Sequence, residues 1–316
     1  MTMTKEYKYK VCTCCFTYNQ DSYITDTLNG FCIQQTSFPV VYCILDDAST
    51  DDEQNVLRQW SKENLCITEA GGFYWKKTEY GEIIFAPLKG NDKAHFVIVL
   101  FKENHHQKND KLDFIVEWWQ NAEYFALCEG DDYWIASDKL QKQADFLDVN
   151  PMYGMVRTNV DRLYQDNGFI EKRYFDKSRI KDTYPDYIYH AWWAAPCTWL
   201  LRTEMYKDAY VEAMKIHYAG GFGGDISLVL YFSSHSLIKY MSEVTAVYRI
   251  LNSSMSHFDN NQNKSGQFFE RIQNTQRYYA SERSAGTRLC LELLFLYKSL
   301  RYKLGVIKRS LLKKTK

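Results

Sequence analysis

Apolar residues in this chain come in short unbroken runs separated by stretches of helical spacing, and that alternation sets the fold class. Val11 to Phe16 is such a run, as expected for a strand buried on both faces. Asp21 or Ser22 then caps a helix whose Ile24, Leu28, Phe31 and Gln35 recur at helical spacing. Pro39 closes the connection, and Val40 to Leu45 forms a second buried strand. Ser49 or Thr50 caps the next helix, with Asp51, Asp52 and Glu53 at its positive end and Val56, Leu57 and Trp60 on its buried face. A β-α-β-α opening predicts a mainly parallel sheet with right-handed crossovers.

Farther along, Phe96 to Phe101 predicts a strand and Lys102 to Asp110 a polar loop. Leu112, Ile115, Val116 and Trp119 give a helical face that leads into an apolar strand, Tyr124 to Cys128. Asp138 starts a helix carrying Leu140, Ala144 and Leu147, which Pro151 terminates. The second half is less regular. Ala191 to Pro196 reads as a loop, Thr198 to Arg202 as a strand, and Gly220 to Gly224 as a turn before an apolar helix, Ile226 to Phe232. Leu237 to Arg249 predicts one or two short strands, 259–268 a polar linker or mobile loop, and the rest a helical, basic, amphipathic tail. The expected organisation is a catalytic domain over 1–258 followed by a linker and helical tail over 259–316.

Composition narrows the function classes. Formal net charge is zero, yet from Lys298 onward there are eight Lys or Arg and no acid, leaving 31 basic against 39 acidic side chains elsewhere. An acidic body argues against nucleic-acid binding. The nine cysteines show no ligand-like spacing, and Cys12, Cys14, Cys15, Cys43 and Cys128 sit in apolar runs where cysteine packs as a small hydrophobe. With an odd count and no secretory signal, a reducing cytoplasm is expected. No segment reaches the roughly 20 apolar residues needed to span a bilayer. Trp192, Trp193 and Trp199 suit sugar stacking and core packing equally.

Three strand ends carry candidate chemistry. Glu129, Asp131 and Asp132 put three carboxylates in four residues directly after an apolar strand. Like charges so close call for a cation, and hard oxygen ligands of this kind suit Mg²⁺ or Mn²⁺ bridging a diphosphate. A second acidic strand end, Asp46-Asp47, offers acceptors for the N–H of a base or the hydroxyls of a ribose. The first strand ends in Phe16-Thr17-Tyr18-Asn19-Gln20, an aromatic ring and polar side chains before a helix N-terminus. A solvated acidic turn or a helix cap explains any one of them; the ordered set points to a nucleotide-diphosphate site across the carboxyl ends of neighbouring strands.

Thr17-Tyr18-Asn19, Leu45 to Asp51 and Glu129 to Trp134 resemble the motifs of family 2 glycosyltransferases of the GT-A fold. So do Asp138 to Gln143 with Phe146-Leu147 and Asn150-Pro151, then Gly224-Asp225, Val247-Tyr248-Arg249 and Ser253 to His257, the last group resembling bacterial polysaccharide-type members. The resemblance covers roughly residues 8 to 258. It implies transfer, with inversion, of a sugar from a nucleotide-activated donor, most often a UDP-sugar, to a saccharide or lipid-linked acceptor in the cytoplasm or at the inner membrane face. It implies nucleotide binding at Thr17, Tyr18, Asn19, Asp46, Asp47, Glu129 and Asp131. A divalent metal would bind at Asp131, with Asp132 and His257 as further ligands, and Asp225 would be the catalytic base. Glu129 stands where the family usually has Asp.

Rival readings are a catalytically inactive sugar- or nucleotide-binding protein of the same fold, and a sugar-phosphate nucleotidylyltransferase. The latter needs a glycine-rich basic loop after the first strand, which Tyr18-Asn19-Gln20-Asp21 does not supply. His105, His106 and Lys111, before the metal strand, are within reach of phosphate in principle, and a solvated loop explains them as well. The tail from Tyr297 to Lys316 alternates Leu, Val and Ile with Lys and Arg, a pattern that fits either peripheral contact with an anionic membrane or a charged terminal helix packed on the body.

Overall fold

In a computed structural model of the protein, the opening follows the expected pattern: β1 (Tyr9–Thr17), α1 (Ile24–Cys32), β2 (Val40–Asp46) and α2 (Glu53–Asn64). The structure describes residues 6–68, 71–106, 108, 111–177, 181–190, 195–251, 262–281 and 283–314, with backbone alone at 177, 262–265 and 302–314. Next come β3 (Tyr74–Thr78), β4 (Gly81–Leu88) and β5 (Asn91–Phe101), an antiparallel meander of which only the end of β5 was expected. A 3-10 turn at Lys111–Ile115 and the one-turn α3 (Val116–Trp119) replace the longer helix that the apolar spacing predicts. Then follow β6 (Ala122–Leu127), β7 (Tyr133–Trp134), α4 (Lys139–Val149), β8 (Tyr153–Tyr164), β9 (Phe169–Glu171), α5 (Tyr184–His190) and β10 (Leu200–Arg202). The chain continues through α6 (Thr203–Tyr218), α7 (Asp225–His235), β11 (Leu237–Ile250), α8 (Gln262–Ala280) and α9 (Ala285–Lys314).

All the strands join one eleven-stranded sheet, ordered β3-β4-β5-β2-β1-β6-β10-β8-β11-β7 with β9 beside β8. Its heart is parallel: β5, β2, β1 and β6 run the same way. The chain winds outward from β1 through β2 and β5, then returns to place β6 on the other side of β1. Such a reversal opens a crevice at the carboxyl ends of the strands, where α/β sheets bind ligands. The packing beneath that rim is dense. Phe31 of α1 stacks on Tyr42 at 4.9 Å and meets Trp134 edge-on at 4.9 Å. Lys139 is buried with its ammonium 4.3 Å from the Trp134 ring, donates to Gln143 at 2.9 Å, and is pulled down to a pKa of about 7 by burial. The five cysteines expected in strands are buried free thiols.

Two expectations need correction, and one strand has no counterpart among them. Leu237 to Ile250 is one long strand, paired with β8 through bulges, where one or two short ones were expected. The polar run expected as a linker is already helical from Gln262, as the first turns of α8. The long strand β8 was not anticipated because its buried residues include Arg157, Thr158, Asn159 and Asp161, a polar run invisible to hydropathy. Segment 172–176 satisfies part of that run: Asn159 donates to Asp176 at 2.6 Å, and Asp161 accepts from Lys172 at 2.7 Å and from the Arg173 N–H at 2.8 Å.

The chain divides into two compact units. The first comprises Met1–Arg179, Ala194–Asp208 and Ser236–His257 and holds the whole sheet; the second comprises Ile180–Trp193, Ala209–His235 and Phe258–Lys316. The second is helical. Within it Gln276 donates to the Ile188 carbonyl at 2.6 Å and the Tyr279 hydroxyl to the Ser227 carbonyl at 3.0 Å, so α8 fastens α5 and α7 together.

Gly30 shows how tightly α1 meets the sheet, since a Cβ there would lie 2.7 Å from the Trp134 backbone nitrogen. Gly30→Ala should therefore lower stability by about 1–3 kcal/mol despite its better helix propensity. Denaturant titration would show a lower midpoint at unchanged slope; a variant as stable as the parent would contradict the packing.

Candidate functional site

Strand β1 brings the two acidic strand ends together through its own backbone. The Asp47 N–H donates to the Thr17 carbonyl at 3.0 Å, and the Gly130 N–H to the neighbouring Phe16 carbonyl at 3.1 Å. Thr17 pairs with Asp46 in the parallel register, and Cys14 with Leu127. The three motifs predicted to cooperate thus share one rim of the first unit. Gly130 is required by close approach, because a Cβ there would collide with the Thr17 hydroxyl and the Gln20 side chain.

Glu53, read in the sequence only as a charge at a helix start, organises the loop between β1 and α1. Its buried carboxylate accepts from the Thr17 hydroxyl, from the Gln20 N–H at 2.9 Å and from the Ser49 hydroxyl at 2.8 Å. Burial raises its pKa and those bonds oppose the rise. Asn19 takes the left-handed backbone at φ 55°, a conformation Asn tolerates, and its side-chain oxygen accepts the Thr50 N–H at 2.7 Å. Thr17 and Asn19 therefore shape the rim, whereas Tyr18 stands 45% exposed on it.

The Asp46 and Asp47 carboxylates lie inside the fold. Asp46 accepts the Gln54 amide at 2.5 Å and the Ser49 N–H at 3.2 Å through one oxygen. Its other oxygen has no partner among the described residues, and burial raises its pKa. Asp47 accepts the His105 N–H at 2.6 Å and pairs with Lys111 at 2.9 Å. Loop 102–111, which reads in sequence equally well as a solvated connection, thus supplies a lysine that neutralises a strand-end carboxylate and a backbone N–H that bonds it.

The β6 end differs residue by residue. Glu129 is exposed, and Asp131 is partly buried with its pKa raised by burial against the opposing charge of Arg249. Asp132 is buried, and its carboxylate accepts the Arg249 N–H at 2.9 Å and the Cys197 thiol. The Arg249 guanidinium donates to the Asp131 carbonyl at 2.8 Å, to Gln165 at 2.9 Å and to Asp26 of α1 at 2.8 Å. Sequence motifs alone did not show this bracing role, which fixes the 129–132 turn between β11 and α1. Among the described residues, no three His, Cys, Asp or Glu side chains converge as a metal site. His257 lies outside the described residues, as do Trp192 and Trp193.

Asp225, in the second unit, opens α7 and accepts the Ile226 N–H at 2.8 Å. Burial pushes its pKa up to about 6. The glycine turn before it is tied down by α8. The Phe222 N–H donates to Thr275 at 2.7 Å, Arg271 donates to the Gly221 carbonyl at 3.0 Å, and Asn274 to the Gly220 carbonyl at 3.2 Å.

Because the Asp47 side chain is only 3% exposed, Lys111→Met should leave a buried unpaired charge and cost about 3–5 kcal/mol of stability. Lys111→Met combined with Asp47→Asn should recover most of that loss. A double-mutant cycle by denaturant unfolding measures it, and additive effects would show that the pair does not couple.

No protein-family model matches the chain. Uncharacterized proteins of Mycobacterium tuberculosis and Mycobacterium bovis are 32% identical to it over 149 residues, which is 47% of this chain and 34% of theirs. The chain therefore spans about a third of the length of the curated relatives it matches. Among solved structures, S. aureus TarS residues 1–349 in complex with UDP-GlcNAc superposes with a TM-score of 0.58 at 16% identity, covering 90% of this chain and 71% of that one. A second S. aureus TarS structure gives a TM-score of 0.51 at 15% identity over 90% of this chain and 42% of that one. With these neighbours and a sheet that reverses at β1 and β6 beneath two acidic motifs, the chain has the GT-A-type glycosyltransferase fold.

Proposed function

We propose that this protein is an inverting glycosyltransferase that moves a sugar from a nucleotide-diphosphate donor, a UDP-sugar first among them, to a saccharide or lipid-linked acceptor in surface-polysaccharide assembly. The observation that carries the reading is the pair of acidic motifs hydrogen-bonded to consecutive carbonyls at the end of β1, at the switch point of a GT-A sheet. The TarS neighbour was solved with UDP-GlcNAc, which supports a nucleotide sugar as donor. Among the described residues, no helix is long and apolar enough to cross a membrane. Action in the cytoplasm, at the inner membrane face where the acceptor is lipid-linked, belongs to the same proposal.

In this reading the exposed Tyr18 ring flanks the base, and the Asp46–Asp47 end of β2 meets the uracil or ribose. One buried carboxylate oxygen of Asp46 has no partner among the described residues, and a donor N–H or O–H from the nucleotide would satisfy it. Asp47, held by Lys111 and His105, orients the rim around it. Asp131 and Glu129 would hold a divalent cation, the donor phosphates completing its shell, as Mg²⁺ and Mn²⁺ sites on phosphate substrates commonly do with one or two carboxylates. The donor set fits: burial disfavours the ionised Asp131, and a cation would relieve that penalty. Asp132, already accepting from Arg249 and Cys197, fits a bracing role better than a ligand's; His257 remains the candidate for an additional ligand. Bound there, the cation would neutralise charge on the departing diphosphate.

Asp225 would act as base. As the acceptor oxygen bonds to the anomeric carbon, the C1–O bond to the diphosphate breaks and the electron pair leaves with the phosphate. The acceptor proton passes to the Asp225 carboxylate. A pKa of about 6 leaves that group ionised at neutral pH yet basic enough to take the proton. A second reading, an inactive nucleotide-sugar-binding protein of the same fold, draws on Asp47 being already bonded within the protein. Turnover separates the two.

Nucleoside diphosphate release across a panel of UDP- and GDP-sugars with Mn²⁺ should reveal a turned-over donor; none turned over would favour the inactive protein. Asp225→Asn should lower transfer by about 10²–10⁴ while UDP affinity stays within a few-fold. Asp131→Asn should weaken UDP binding in Mn²⁺, and equal loss of affinity in both variants would refute the division of roles. Because the base must be ionised, transfer should fall about tenfold per pH unit below about 6 and level off above it. A profile flat down to pH 5 would remove Asp225 from the chemistry.

A further inference from the structure

Among the described residues, helix α9 carries one apolar face that is packed and one that is exposed. Its inner face packs within the second unit: Leu291 and Phe295 are buried with Ala280, Tyr189 lies against them, and Glu292 pairs with Arg277 of α8 at 2.7 Å. The other face presents Leu289, Leu293, Leu296, Tyr297 and Leu300, each 52–62% exposed. These positions recur at three- and four-residue intervals, so they form one continuous stripe along the helix. The helix is anchored through its opposite side, so the stripe is a fixed outward feature of the second unit rather than an effect of fraying.

We infer that this stripe is a docking face for an anionic lipid bilayer. Two properties select that occupant. The same spacing runs on in the sequence through Leu304, Ile307 and Leu311, which lengthens the apolar pattern beyond three further turns. Over the same stretch the charge is of one sign, eight Lys or Arg from Lys298 to Lys316 with no acid among them. An apolar stripe that ends beside the exposed Arg301 and runs on into a basic sequence fits the boundary between acyl chains and anionic head groups. A second copy of the chain is a poorer partner: pairing α9 with itself would oppose like charges, and its one acid, Glu292, is already paired with Arg277. The inference rests on α9 alone and does not depend on the proposed activity.

Co-sedimentation of the full chain with vesicles tests it, using phosphatidylcholine alone and phosphatidylcholine with one quarter phosphatidylglycerol. Partitioning onto the anionic vesicles should exceed that onto neutral ones at least tenfold at about 0.1 M salt and fall sharply at 0.5 M. Leu293→Gln with Leu296→Gln should cut anionic binding at least tenfold while the circular-dichroism melt is unchanged. Leu289→Gln with Leu300→Gln serves as a second variant should the first alter the melt. Arg301→Gln with Lys303→Gln should lower binding to anionic vesicles and leave the neutral background as it is. Equal partitioning onto both vesicle types would overturn the inference. So would a dimer that the Leu variants convert to monomer in a chain that binds neither vesicle.

Discussion

Two consecutive carbonyls at the end of β1 hold the rest of the rim in place. One receives the N–H that begins the β2 loop, the other the N–H of Gly130 after β6. Five carboxylates, from Asp46, Asp47, Glu53, Asp131 and Asp132, are thereby drawn to neighbouring strand ends. Hydrogen bonds worth about 0.5–1.5 kcal/mol each do not by themselves offset burying so much negative charge. Lys111 on the β2 side and Arg249 on the β6 side supply the compensation, by direct pairing with Asp47 and through the backbone and side-chain contacts of the 129–132 turn. In the proposed reading, the negative charge left at Asp131 is where a cation and a diphosphate would be accepted.

The second unit applies the same logic to a single group. Asp225 sits at the start of a helix whose preceding glycine turn is stitched to α8 by Thr275, Arg271 and Asn274. The glycines serve close packing: a Cβ at Gly223 would lie 2.7 Å from the Ala213 carbonyl oxygen. Residues beyond 258, expected as linker and tail, thus include the helix that fixes the setting of the proposed base. Burial raises that carboxylate to a pKa of about 6, a value that suits the proposed base.

Hydropathy made the parallel centre of the sheet legible, because β1, β2 and β6 are buried on both faces and read as unbroken apolar runs. The acidic strand ends were legible as a set, since two such clusters, each directly after a buried strand, are harder to explain as solvated turns than either one alone. What stayed hidden depended on partners distant in sequence. Glu53 looks like a helix-start acid until Thr17, Gln20 and Ser49 converge on it. Lys111 looks solvated until Asp47 meets it, and β8 looks irregular until segment 172–176 pairs with its buried Asn159 and Asp161. Arg249 is 117 residues from the carboxylate that its backbone holds, a contact no local pattern encodes.

A crystal structure of the protein with UDP and Mn²⁺ tests the central claim most directly. The account predicts the uracil beside Tyr18 at the Asp46–Asp47 end of β2, with the diphosphate and cation at Asp131. Nucleotide bound away from the carboxyl ends of β1, β2 and β6, or a cation held without Asp131, would contradict it.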